Sequence, residues 1–362
     1  MTRDDTLSGV ESRTVDTDRL ETHYLESGDP DGRPVAFVHG NVSSSRFFED
    51  VMADLSDAYY AVAPDLRGYG DSETEPIDAT KGLADLTGDL RAFLSELGLD
   101  DEPTVVGWSN GGGVAMDYAI HHPEDVESLL LINPLSPYGF GGTKDVEGTP
   151  CFDDYAGSGG GLSNQQFVSG LETRDRDVVG NASPRAILRS FYVDPTHGFD
   201  SEREESYLTG LLDTAIGPEN YPGNSTESDN WPGVAPGNAG VNNAVSPKYC
   251  DLSGIVEIEP KPPILWLRGA TDQIVSNESV FDMGTLGRLG EVEGWPGEDV
   301  FPPQPMVDQT RAVFDEYADA GGEYEEVVLE GAGHTPHVEV RGEFRAHLES
   351  LLAGERFSNE GS

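Results

Sequence analysis

The sequence predicts an α/β protein with a mostly parallel central sheet covered by helices. Two observations carry that expectation. Short, nearly continuous apolar runs alternate with helix-patterned segments along most of the 362 residues. The sharpest glycine-rich turn also falls between one such run and a helix of small residues, as a strand-to-helix connection requires. In sheets of this kind ligands bind at the carboxyl ends of the strands. The loops that follow the strands are therefore where chemistry is expected.

The elements follow in order. Val35-Ala36-Phe37-Val38 is an apolar run ending at His39-Gly40. Ala58 to Ala63 is a second, stopped by Pro64-Asp65. A helix follows, with Leu83, Leu86, Leu90, Leu94 and Leu97 on one face and Asp85, Asp89 and Glu96 away from it; Gly98 closes it. Thr104-Val105-Val106 leads into the glycine-rich turn and a small-residue helix over about 112–121. Ser128 to Ile132, Ile264 to Leu267 and Glu326 to Leu329 are further strands. Val340, Phe344, Leu348 and Leu351 mark a final amphipathic helix.

This divides the chain into a core over 10–134 and 262–355 and an insertion over 135–261, with a frayed tail over 1–9. The insertion is too long for a plain connection and too rich in Gly, Pro and Asn for the core pattern. It reads as a lid with helical pieces around Gln165–Glu172 and Arg203–Leu212. A loop over 284–305, with Trp295 and a proline cluster, is expected near the same entrance.

Charge narrows the function. The chain has 22 Lys+Arg against 67 Asp+Glu, a formal net charge of -45. Such acidity argues against nucleic-acid phosphates and anionic membrane surfaces as partners. No apolar run reaches the ~18–20 residues of a membrane span. The charged start lacks the apolar stretch of a leader, so a cytoplasmic location is expected. Cys151 and Cys250 are too few for a disulfide framework. Lysine is confined to Lys81, Lys144, Lys248 and Lys261. An acidic, lysine-poor surface resembles those of proteins from salt-accumulating halophiles, where salt screens the self-repulsion.

Gly107-Trp108-Ser109-Asn110-Gly111 matches G-x-S-x-G. A serine on so tight a turn is lifted to the top of the sheet, and the flanking glycines let backbone pass close. The following helix N-terminus favours negative charge there. A serine nucleophile needs a base, and the base needs an orienting carboxylate. His334, in Gly331-Ala332-Gly333-His334, follows the last strand, and Asp272 follows the strand before it. All three candidates should therefore meet at one edge of the sheet. His337 is a rival base; with His334 it also suggests a metal pair, but no third ligand stands at metal spacing, so no metal is expected.

At this point the chain resembles the α/β-hydrolase-fold serine hydrolases, over roughly 20–134 and 262–352. His39-Gly40-Asn41-Val42 is similar to the family's oxyanion loop, and Asp65-Leu66-Arg67-Gly68-Tyr69-Gly70-Asp71-Ser72 to its D-x-R-G-x-G-x-S segment. The resemblance implies Ser109, Asp272 and His334 as the catalytic triad, with the N–H groups of Asn41 and Asn110 as the oxyanion hole. Some relatives take their acid from after the strand ending at Ile132, where this chain has Asn133. Relatives with Asp at the elbow, the epoxide hydrolases and haloalkane dehalogenases, form an alkyl-enzyme ester; Ser109 speaks against that chemistry here. Trp108, Phe47 and Val42 are expected to line the substrate pocket. Asp65 and Arg67 are expected to hold loops together.

The implied activity is hydrolysis of a carboxylic ester of a small molecule through an acyl-enzyme, without a cofactor. Lactones, amides and carbon–carbon bonds are the alternatives open to the same triad, and a non-catalytic binding protein on the same fold is a further one.

Overall fold

The structure is a computed structural model and describes residues 6–56, 58–99 and 103–355. Its centre is an eight-stranded sheet. The strands are β1 (Val10–Asp16), β2 (Glu21–Gly28), β3 (Arg33–Val38), β4 (Tyr59–Pro64), β5 (Thr104–Trp108), β6 (Ser128–Ile132), β7 (Ile264–Gly269) and β8 (Tyr324–Leu329). Their order across the sheet is β1-β2-β4-β3-β5-β6-β7-β8. β1 and β2 pair antiparallel, as do β2 and β4; every other pair is parallel.

The six apolar runs read from the sequence are β3 to β8. β5 and β6 are buried along their whole length, which is why they read as unbroken apolar segments. The hairpin of β1 and β2 did not stand out as strands. β1 is buried only at Val10, is half-buried or exposed elsewhere, and carries Glu11, Arg13 and Asp16, so it has no apolar run to show.

Helices α1 (Ala84–Glu96), α2 (Asn110–His121), α3 (Gln165–Glu172), α4 (Ser201–Leu212), α5 (Met283–Leu289), α6 (Met306–Asp319) and α7 (Arg341–Leu352) are the longer ones. In α1 the sequence put Asp85 and Asp89 away from the packed face, yet both are buried. Asp89 is held by Arg19 at 2.6 Å and by Arg67 at 2.7 Å. Paired in this way, a buried carboxylate avoids the cost of an uncompensated charge.

Two other expectations are revised. Of the tail over 1–9, residues 1–5 lie outside the described residues. From Thr6 the chain is fastened: Thr6 Oγ1 donates to Val10 O at 2.6 Å and Leu7 N–H to Glu49 Oε1 at 2.6 Å. The 284–305 loop is helical at its start, where Asp282 caps α5 and Gly290 ends it at φ 80. Trp295 packs on Gly287 beside Trp231, and Trp231 Nε1 donates to Glu293 O at 2.9 Å.

Residues 135–261 contribute no strand to the large sheet. They hold α3, α4, short helical turns and two small two-stranded pairs. α3 has the limits expected of the first helical piece, and α4 begins two residues before the second.

Candidate active site

Ser109 stands between β5 and α2 at φ 57 and ψ -121, a conformation a side-chain-bearing residue rarely adopts. The glycines around it leave no room for anything larger. A Cβ on Gly107 would lie 2.4 Å from Gly111 O, and one on Gly111 would lie 2.1 Å from Val38 O. Ser109 N–H donates to Ile132 O at 2.9 Å, which ties the elbow to β6.

The β3 loop crosses directly over this serine. A Cβ on Gly40 would lie 2.9 Å from Ser109 Cβ. His39 is buried, with Nδ1 2.8 Å from Gly40 O, and its Nε2 accepts from Leu66 N–H at 2.9 Å. A ring nitrogen that accepts a backbone N–H is unprotonated, so this tautomer is neutral. Burial pushes its pKa down, in agreement. Asn41 N–H and Asn110 N–H donate to no carbonyl among the described residues. For Asn110 this follows from its place at the first position of α2.

The Asn41 side chain is fixed on both sides. Tyr69 OH donates to its Oδ1 at 2.6 Å, and its Nδ2 donates to Asn242 Oδ1 at 2.8 Å. Tyr192 OH lies 3.1 Å from Asn41 O and 2.9 Å from Val42 O. Asn242 and Tyr192 both come from the insertion. Neither stood out in the sequence, because neither belongs to a motif.

On the other side, His334 Nδ1 lies 2.9 Å from Asp272 Oδ2, and both side chains are almost fully buried. His337 makes no such pair. Both its ring nitrogens are without a hydrogen-bond partner; the ring stacks on Phe48 at 4.9 Å and meets Trp108 edge-on at 5.1 Å. Burial, and then the neighbouring His334, push its pKa down to about 3. Among the described residues no hydrogen bond joins Ser109 Oγ to His334 Nε2; Trp108, the residue before Ser109, makes the contact with His334. Its Nε1 donates to His334 O at 2.7 Å, and its ring centroid is 5.5 Å from the imidazole.

The three residues expected to line the pocket lie in the core. Trp108, Phe47 and Val42 are 0%, 1% and 3% exposed. Phe47 packs against Trp108 at 5.0 Å, Tyr192 at 5.9 Å and Tyr207 at 4.8 Å.

Asn133 occupies the place where an alternative acid would stand. Its Nδ2 donates to Gly333 O at 3.1 Å and His334 O at 3.0 Å, and its Oδ1 accepts from Gly269 N–H at 3.0 Å. It thus ties the β7 loop to the His334 loop. Asp65 holds loops as well, accepting from Ser45 N–H at 2.8 Å, Asp71 N–H at 3.0 Å and His23 at 2.6 Å. Burial opposes its charge, but His23, with other groups that include the Ser45 N–H, outweighs burial and holds the carboxyl below its ordinary range. Among the described residues no group of three metal-binding side chains gathers.

Comparison with known proteins agrees with this fold. The chain is 31% identical over 134 residues to epoxide hydrolase 1 of Caenorhabditis elegans, covering 37% of this chain and 33% of that protein. It is 31% identical over 131 residues to the cis-3-alkyl-4-alkyloxetan-2-one decarboxylase of Shewanella oneidensis, covering 36% of this chain and 40% of that one. The matches therefore span two fifths or less of these relatives' own lengths. A thermophilic esterase from Thermogutta terrifontis shares the fold, with a TM-score of 0.57 at 18% identity, over 96% of this chain and 100% of that one. The family model described as the alpha/beta hydrolase family matches residues 35–347. With that match over most of its length, and with the sheet and elbow described above, the chain belongs to the alpha/beta hydrolase family.

Proposed function

We propose that this protein is a serine hydrolase that cleaves a small or medium-sized carboxylic ester through an acyl-enzyme on Ser109. The observation that carries the reading is the His334–Asp272 hydrogen bond beside a serine held at φ 57 on the elbow. A carboxylate only accepts, so Asp272 places a proton on Nδ1 and leaves Nε2 as the basic nitrogen. Ser109 Oγ attacks the carbonyl carbon while Nε2 takes its proton. The Asn41 and Asn110 N–H groups receive the oxyanion, each worth about 3–4 kcal/mol of barrier. Nε2 then protonates the departing alcohol, and water reverses the sequence to release the acid.

This reading calls for a small-molecule substrate, no cofactor and no metal. The charge of -45 argues against nucleic-acid and membrane-surface partners and suits a salt-rich cytoplasm, the halophilic setting we also propose. Among the described residues no helix is long and apolar enough to cross a membrane.

A lactone is the second reading. It is favoured by the likeness to a decarboxylase of oxetan-2-ones, which are strained cyclic esters. The test is hydrolysis of a graded p-nitrophenyl ester series in molar KCl, with Ser109→Ala beside the wild type. A fall of ~10³-fold or more in the variant is expected. Folded wild type without turnover on any ester would move the assignment to lactones, amides or carbon–carbon bonds. Failure to label with a fluorophosphonate as well would move it to a binding protein.

A further inference from the structure

We propose that the insertion segment Tyr192–Asp194 is a strap that positions both halves of the site, with Tyr192 fixing the oxyanion loop and Glu339 fastening the strap to the base loop. The proposal deepens the hydrolase reading and rests on it.

The oxyanion loop needs an external hold. Val42 is β-branched and sits at φ 48, where such a residue is strained. Strain of this kind persists only where the surroundings impose it. The imposing group is the Tyr192 hydroxyl, within hydrogen-bond distance of the carbonyls on both sides of Val42, Asn41 O and Val42 O. Its ring is buried among Phe47, Trp108 and His334. Burial also holds the phenol protonated, so the hydroxyl remains a donor.

The same three residues grip the base loop. Thr335, next to His334, donates its hydroxyl to Tyr192 O at 2.8 Å. Asp194 N–H donates to Glu339 Oε1. Glu339 also accepts from Gly333 N–H at 2.9 Å and from Thr335 N–H at 3.1 Å. One carboxylate therefore collects a backbone donor from the strap and one from each side of His334. The fit leaves no slack: a Cβ on Gly333 would lie 2.8 Å from Asp194 N. Asp194 reaches the third loop too, since its Oδ2 lies 2.8 Å from Thr271 Oγ1, next to Asp272.

The strap thus touches the loops that carry Asn41, Asp272 and His334. It acts through backbone geometry, which makes Tyr192 and Glu339 positioning residues. Glutamine cannot replace Glu339, because its –NH₂ would face converging N–H donors.

The test uses Tyr192→Phe, which keeps the ring and removes the hydroxyl, and Glu339→Gln, which keeps the size. Near-ultraviolet circular dichroism first establishes that each is folded. With p-nitrophenyl butyrate in molar KCl, each is expected to lose about tenfold or more in kcat while KM stays within about threefold, the pattern of a disturbed transition state. Hydrogen exchange read by mass spectrometry is the second measurement. Tyr192→Phe should speed exchange about tenfold in peptides covering 40–46, and Glu339→Gln in peptides covering 331–337, with the central strands unchanged. Variants that melt earlier but keep wild-type kcat and wild-type exchange in those loops would overturn the strap. If the wild type is no faster than Ser109→Ala, the hydrolase reading fails instead, and exchange alone decides the strap.

Discussion

Trp108 Nε1 donates to the carbonyl oxygen of His334 at 2.7 Å, so the residue before the candidate nucleophile holds the backbone of the candidate base. The two residues are 226 apart in sequence. Asn133 Nδ2 reaches the same oxygen at 3.0 Å, so removing the indole does not orphan it. Trp108→Phe should therefore cost the ~1 kcal/mol of an ordinary hydrogen bond plus a share of lost packing, about 1–3 kcal/mol in total. Its activity should fall by more than its stability implies at temperatures where it is fully folded, because His334 then keeps only the Asn133 contact on its carbonyl. Denaturant unfolding and kcat, measured on the same samples, check this; unchanged kcat would show that the contact is packing alone.

His337 supplies a pH dependence with a definite sign. Its pKa is pushed down to about 3 in the folded chain, against an ordinary ~6.5. The unfolded chain therefore takes up a proton first as pH falls below ~6.5, and stability is lost on the acid side. From pH 6.5 to 5 that is about 1.5 units, or roughly 2 kcal/mol at ~1.4 kcal/mol per unit. His337→Phe keeps a ring against Phe48 and does not titrate. The stability of the variant relative to wild type should rise by about that amount over the interval, whatever the offset at neutral pH. Parallel pH curves would show that His337 does not titrate as its burial demands.

The net charge of -45 makes salt part of the fold. Carboxylates spread over the surface repel one another at distances that a Debye length of ~3 Å in molar salt screens and one of ~30 Å in 0.01 M salt does not. The melting temperature should climb steadily from dilute buffer to molar KCl. A melting temperature independent of KCl would remove the halophilic reading and leave the hydrolase reading untouched.

The parts of this molecule that were legible in the sequence are those where a residue type is dictated by its own immediate backbone. Gly107 and Gly111 flank Ser109 because backbone passes where their side chains would be, and that spacing is local. β5 and β6 are buried end to end, so their apolar runs announce them. What failed to show depends on partners far along the chain. Asp85 and Asp89 looked solvent-facing because Arg19, which pairs with Asp89 from 70 residues away, cannot be seen from a helical repeat. Tyr192, Asn242 and Glu339 have no motif, and their value lies in the loops they meet. Trp108, Phe47 and Val42 neighbour the site in sequence, which suggested a pocket wall; that they are buried in the core depends on rings from distant elements such as Tyr192 and Tyr207.

The central claim is that Ser109 is acylated with His334 as its base. Mass spectrometry of protein quenched during turnover of p-nitrophenyl butyrate tests it most directly. The account predicts a butyryl adduct on the peptide containing Ser109, absent in Ser109→Ala and strongly reduced in His334→Ala. An enzyme that turns the ester over with no adduct at Ser109, or with Ser109→Ala as active as wild type, would contradict it.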